Sequence, residues 1–248
     1  YLGGIVGQNS GTVSDATFSG TIEEKNGSAG NCYGGIAGIN MSGAELKYCC
    51  VGKITMTING VYTATSTSTA AQKEALATHA GGIVGKNEEN AVIDGCTLEN
   101  NADSKLTAKY GMLGGVAGFN KGKITMSGSS ITPDVMNGAD TTDELAANAI
   151  GQGLSADGTY VNTRSASTIE NMKYNGGTTL SAGKLEMYML HNGNIGGITA
   201  YNGTAGQLSE CVSGKWFLNN KSEAIGVGTG GIIGMNESQK DLSKLVNG

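Results

Sequence analysis

The groups on which this chain would build a reaction are few: two histidines, five cysteines and 21 acidic side chains in 248 residues. His79 and His191 each stand shortly before a Gly-Gly pair, without an H-E-x-x-H context or an evident partner. Read as lone turn histidines, both are expected to face solvent. Cys49, Cys96 and Cys211 sit nine residues after an asparagine in three separate segments, which marks them as small hydrophobes in one inward slot. Their wide separation fits no zinc spacing. Cys49 and Cys50 are adjacent and should point to opposite faces of a strand. Cys32 precedes a Gly-Gly corner and is expected to be exposed. Five reduced thiols are the expectation, with a disulfide through Cys32 or Cys50 as the alternative. No G-x-S-x-G elbow occurs, so a serine hydrolase has no support. The pairs Glu23-Glu24 and Glu88-Glu89 read as solvated turn residues. Two carboxylates from different segments meeting on one face remain open as a glycosidase arrangement. A polysaccharide-lyase arrangement of a basic residue with calcium-binding acids is weakened by a single arginine, Arg164, and no aspartate cluster. No catalytic, cofactor-binding or metal-binding residue is therefore assigned, and the chain is expected not to be an enzyme.

Composition narrows the class further. The formal charge is −5 with only 16 Lys and Arg, the wrong balance for contacts to nucleic-acid phosphates. Glycine is abundant, at 42 residues, without the three-residue period of collagen, and Pro133 is the single proline. No run of eighteen apolar residues exists, so no membrane insertion is expected within this segment.

The glycines are placed by a repeat. Gly3-Gly4-Ile5-Val6-Gly7-Gln8-Asn9 returns at Gly34–Asn40, Gly81–Asn87, Gly114–Asn120, Gly196–Asn202 and Gly230–Asn236. The intervals are 31, 47, 33, 82 and 34 residues, so the underlying period is 31 to 34. Six positions after the asparagine stand Leu46, Ile93, Leu208 and Leu242, with Asp15 and Met126 as departures. Nine positions after it stand Phe18, Cys49, Cys96, Ser129, Cys211 and Leu245. A further Gly-x-apolar element follows at Gly20–Ile22, Gly52–Ile54 and Gly214–Trp216. Three short strands per period predict an all-β fold, a right-handed parallel β-helix of about six to seven coils. A weak seventh copy falls at 165–171. The two long intervals contain insertions, at about 60–80 and 132–165. Thr69–Gln72 reads as a capping box opening a helix over 71–77, and Thr141–Glu144 opens one over 145–150 in the same way.

Stacking gives each motif position a job. Ile5, Ile36, Ile83, Val116, Ile198 and Ile232 form an inward aliphatic ladder, each burial worth roughly 1.5–3 kcal/mol before entropy. The Gly-Gly pair serves a corner, through positive φ or close backbone approach. The six asparagines form a structural turn ladder, tolerant of left-handed backbone. The outward position before each asparagine holds Gln8, Ile39, Lys86, Phe119, Tyr201 and Met235, too varied for a regular ice-binding lattice. Phe119, Tyr201 and Met235 are either a contact patch for a protein or glycan, or residues lying beneath an insertion.

The pattern G-G-[IV]-[VAIT]-[GA]-x-N resembles the GLUG-motif repeats of bacterial surface proteins. The resemblance covers Gly3–Ile22, Gly34–Ile54, Gly81–Leu98, Gly114–Met126, Gly196–Leu218 and Gly230–Leu245, and thins across 132–190. Such repeats occur in adhesin-like proteins and in non-catalytic parts of immunoglobulin A-cleaving metallopeptidases. The resemblance implies an extracellular bacterial cell-surface location and a stalk or adhesive role toward a host or bacterial surface protein or glycan. The chain is expected to be a single repeat domain, 1–248, and a fragment or mature segment of a longer protein. A carbohydrate-active β-helix enzyme and an accessory domain of a secreted metallopeptidase are the rival readings.

Overall fold

A computed structural model describes residues 1–65, 67–99, 104–125, 149–150, 185–209, 211–213, 216–222, 227–240, 242 and 246–247. Over these residues the protein is nearly all β. The strands that close the repeat motif, Val6–Asn9, Ala37–Asn40, Val84–Asn87, Ala117–Asn120, Thr199–Asn202 and Ile233–Asn236, form one six-stranded parallel sheet in chain order. Thr12–Ser14, Glu45–Lys47, Val92–Asp94, Lys123–Thr125 and Gln207–Ser209 form a second, five-stranded parallel sheet. An 11-stranded sheet takes most of the remainder. Its pairings are parallel except that of Thr97–Glu99 with Ala149–Ile150. Each unit thus pairs with the next one along the chain, three times over, because the sequence presents the same strands at the same spacing.

The aliphatic ladder forms as expected. Each member donates its amide to the next unit, from Ile36 N to Ile83 O at 2.9 Å, Ile83 N to Val116 O at 3.1 Å and Val116 N to Ile198 O at 2.9 Å. Ile36, Ile83, Val116 and Ile198 are buried, whereas Ile5, with a neighbour on one side only, is 43% exposed. Of the two readings of the Gly-Gly pairs, close backbone approach holds: they do not adopt positive φ and are glycine because backbone passes too close. A Cβ on Gly82 would meet the Gly115 carbonyl oxygen and, at 2.5 Å, Leu98 Cδ2. Nor are the asparagines left-handed: they end regular strands. The left-handed corner lies elsewhere, at Asp15, Tyr48 and Gly95, with φ of 53°, 55° and 62° in equivalent positions of three units.

The slots after the asparagine also shift. Val13, Leu46, Ile93, Ile124 and Leu208 share one column, so Asp15 and Met126 are not departures. The turn after Asn9 and Asn120 is two residues shorter than after Asn40, Asn87 and Asn202, and the column moves with it. Phe18 accordingly pairs with Val51 rather than Cys49, and Ile22 with Met56 rather than Ile54. Cys49, Cys96 and Cys211 are buried, as read from spacing, and all five cysteines are free thiols. Cys32 is buried too, against expectation, at 1% exposure. Glu23 and Glu24 close the strand Thr17–Glu24 instead of lying in a turn.

The first insertion carries α1, Ala70–Ala75, one residue earlier at its start than predicted and two shorter at its end. Its capping box is present: Gln72 N donates to Thr69 Oγ1 at 3.2 Å and Thr69 N to Gln72 Oε1 at 2.8 Å. The insertion is pinned at its base by Thr78 N to Val61 O at 2.8 Å and Thr63 N to Leu76 O at 3.1 Å. The second helix expectation falls on 141–148, outside the described residues, while Ala149–Ile150 is strand. The weak copy at 165–171 and the insertion at 132–148 and 151–165 also lie outside them. Among the described residues, no helix is long and apolar enough to cross a membrane.

Candidate functional site

Two columns on the outward side of the stack carry most of the unusual chemistry. The first is the residue before each asparagine. Gln8, Ile39, Lys86, Phe119, Tyr201 and Met235 are register partners in successive strands. The second is the residue two places before each Gly-Gly pair: Cys32, His79, Met112 and Asn194. Alternation along a strand aims these residues away from the main core, since their neighbours Tyr33, Ala80, Leu113 and Ile195 point into it.

Outward does not mean exposed here. Phe119 and Tyr201 are 1% and 0% exposed, stacked on each other with ring centroids 4.9 Å apart and planes 12° apart. They belong to a second hydrophobic cluster with Tyr62, Ala77 and Met112, against which Tyr110, Met235 and Ala64 pack. Of the two readings of Phe119, Tyr201 and Met235, the structure places the first two beneath an insertion and leaves Met235 half-buried. The insertion that holds α1 supplies the cover.

Charge ties that cover down. Glu74 of α1 pairs with Lys86 at 2.6 Å and Lys121 at 3.3 Å, and Lys86 also pairs with Glu88 at 2.7 Å. Lys73 meets Glu237 at 2.6 Å and lies over the Tyr201 ring, 5.8 Å from its centroid. Burial pushes the Glu74 carboxyl up, but Lys86 and Lys121 outweigh it and hold it below the ordinary value. Lys86 is raised, its two carboxylate partners overcoming the opposing effect of burial. The Tyr201 hydroxyl is buried without a hydrogen-bond partner, and burial, then the Glu237 carboxylate, raise it far above the phenol range.

Beneath α1, Tyr1, Gly30, Cys32, Ile39, Ala71, Glu74, Ala75, His79 and Lys86 line a cavity of about 410 Å³. Cys32 Sγ and His79 Nδ1 are 3.7 Å apart across it. His79 is 1% exposed, packed at 5.2 Å against the Phe119 ring, with Nε2 lacking a hydrogen-bond partner. Burial, then the Lys86 charge, lower its pKa to about 3, so the ring is neutral. Burial pushes the Cys32 thiol up to about 12, with Lys86 opposing. A neutral thiol beside a neutral imidazole is a poor nucleophile, because catalysis by cysteine needs thiolate. No three of the described His, Cys, Asp and Glu side chains converge as a metal cluster. His191, by contrast, is exposed as expected, although it lies within the strand Leu185–Gly196 rather than in a turn, and it stacks on Tyr110 at 5.1 Å.

Neither partner of the Cys32–His79 pair stood out as a site in the sequence. The signal was positional: both stand two residues before a Gly-Gly pair, as Met112 and Asn194 do, so the repeat itself aligns them.

The corner asparagines complete the geometry. Asn9, Asn40, Asn87, Asn120 and Asn202 each donate from Nδ2 to Oδ1 of the next asparagine, at 2.8, 2.9, 2.9, 2.9 and 2.9 Å, ending on Asn236. Residues 1–23 match the Glug family, described as the GLUG motif. The chain carries the GLUG motif. The later units repeat its residues at the same rungs of this ladder. No curated protein and no solved structure matches the chain.

Proposed function

We propose that this chain is a right-handed parallel β-helix of about six coils, since the units on either side of 165–171 pair directly, acting as a non-catalytic stalk or adhesive module of a bacterial cell-surface protein. The observation that carries this reading is the unbroken asparagine ladder: the one motif that recurs in every unit is spent on joining units. The GLUG motif supports the extracellular location, since its known occurrences are in surface-type proteins. A stack held by repeated local contacts extends in one dimension, which suits a spacer. Contact with a host or bacterial surface protein or glycan falls, on this reading, to the insertion that covers Phe119 and Tyr201.

Beads coated with the chain are expected to adhere to epithelial or bacterial cells more than albumin-coated beads, and to lose that adhesion when residues 60–77 are replaced by a short Gly-Ser linker. Incubation with a panel of acidic and neutral polysaccharides is expected to leave the number of reducing and unsaturated ends unchanged. New ends would establish a carbohydrate-active enzyme in its place.

A further inference from the structure

We propose that Cys32 and His79, with Met112 on the next strand, form a binding site for one soft monovalent d10 cation, Cu(I), beneath α1. The three residues are register partners on adjacent parallel strands, Cys32 with His79 and His79 with Met112. Register therefore sets the Cys32 thiol and the His79 imidazole one strand spacing apart, about 4.8 Å, with the Met112 thioether one spacing further on, on the other side of His79. Thiolate and thioether ligands select Cu(I) among biological cations, and imidazole binds copper as well.

Distance agrees with a shared cation. With the bond lengths of zinc, another d10 cation, taken as a guide, metal–sulfur and metal–imidazole bonds of about 2.3 and 2.0–2.1 Å meeting at about 120° put sulfur and nitrogen roughly 3.8 Å apart. Sγ and Nδ1 are 3.7 Å apart already. The exchange also keeps the site's charge. Cu(I) replaces the thiol proton, which leaves to solvent, and accepts the lone pairs of the thiolate sulfur, the Nδ1 nitrogen and the thioether. No electron is transferred, and net charge in the buried site is unchanged, so burial does not oppose loading as it would a bare added charge. Neutral imidazole is the form that ligates. The cavity beside both ligands gives the ion a route under α1. Cys49, Cys96 and Cys211 lack this combination, because they face the aliphatic core.

The test is anaerobic competition for Cu(I) between the whole chain and bicinchoninate, with ascorbate present. Wild type is expected to withdraw one Cu(I) per chain, with affinity rising about tenfold per pH unit for the one proton released. Cys32→Ser is expected to abolish this and Cys49→Ser to leave it intact; Met112→Leu, which conserves volume, should weaken it about tenfold or more. X-ray absorption of the loaded wild type, which needs no variant to fold, should show sulfur and imidazole scattering. Failure of wild type to compete, loss in Cys49→Ser with retention in Cys32→Ser, or copper without an imidazole ligand would each overturn the proposal.

Discussion

Two neighbouring columns of the same six strands behave oppositely. The asparagine column is the same residue in every unit, and each member is bonded to the next. The column one residue earlier is different in every unit, running from Gln8 to Met235 through a lysine and two stacked aromatics. Both lie largely out of solvent, so burial does not explain the contrast. What differs is the partner. The asparagine faces another copy of itself, and a repeated contact demands a repeated residue. The preceding position faces an insertion that occurs once, and its rungs meet different partners: Lys86 pairs with Glu74 and Tyr201 lies under Lys73, both of α1, while Phe119 packs on His79 of the neighbouring column. Constancy along this chain reports stacking, and variety reports what is docked on the stack.

Substitutions in the two columns sharpen or break this contrast. A large effect is expected for Asn87→Ala, which leaves Asn120 Oδ1 without its ladder donor at about 1–3 kcal/mol and takes one of three acceptors from Asn40 Nδ2, which keeps Ala44 O and Val92 O, on top of the lost turn bond. Urea unfolding should show it, and Asn9→Ala, at the end of the ladder with one partner, should cost about half as much. Phe119→Ala is expected to cost about 3–5 kcal/mol, a core-sized loss from an outward-facing side chain. Ile83→Ala, in the main core, falls in the same range at about 2–5 kcal/mol. A Phe119→Ala cost near zero would mean that the insertion does not cover the column in solution.

Acid should also loosen the covered face. His79 has its folded pKa lowered from 6.5 to about 3, so below about pH 6.5 the unfolded chain takes up a proton that the folded chain refuses. Stability is then lost as pH falls from 6.5 toward 3, by about 1.4 kcal/mol per pH unit from this group. Denaturation midpoints of wild type and His79→Gln, measured between pH 7 and 4, should converge as pH falls. Parallel curves would show that His79 is protonated in the fold. The smallest of these effects is Lys86→Met, about 1 kcal/mol and shrinking in high salt, because Glu74 keeps Lys121. That is more than the negligible change expected of a solvated outward lysine.

The inward half of the fold was legible because its rule is local: a Gly-Gly pair, a β-branched residue and an asparagine recur, and equal residues stack. Asp15 and Met126 misled because column position was counted from the asparagine across turns of unequal length. Cys32 and His79 looked like exposed corner residues because what buries them is α1, some 40 residues away from one and adjacent in chain to the other. Their pairing across an interval of 47 residues is invisible to any spacing rule for metal ligands, yet one step in the stack makes them neighbours. Thr69–Gln72 announced the helix, but nothing in that capping box says which face the helix covers.

The unequal turns have a consequence of their own. In the short turns the asparagine amide reaches the carbonyl two residues on, Asn9 to Gly11 at 3.1 Å and Asn120 to Gly122 at 3.1 Å. In the long turns it reaches four residues on, Asn40 to Ala44 at 3.3 Å and Asn202 to Gly206 at 3.2 Å. One side chain thus closes loops of either size while its link to the next unit stays at 2.8–2.9 Å. The corner works as an expansion joint: residues can be gained or lost there in pairs, and peptide tags of even length grafted after the asparagine should leave the strands on both sides in phase.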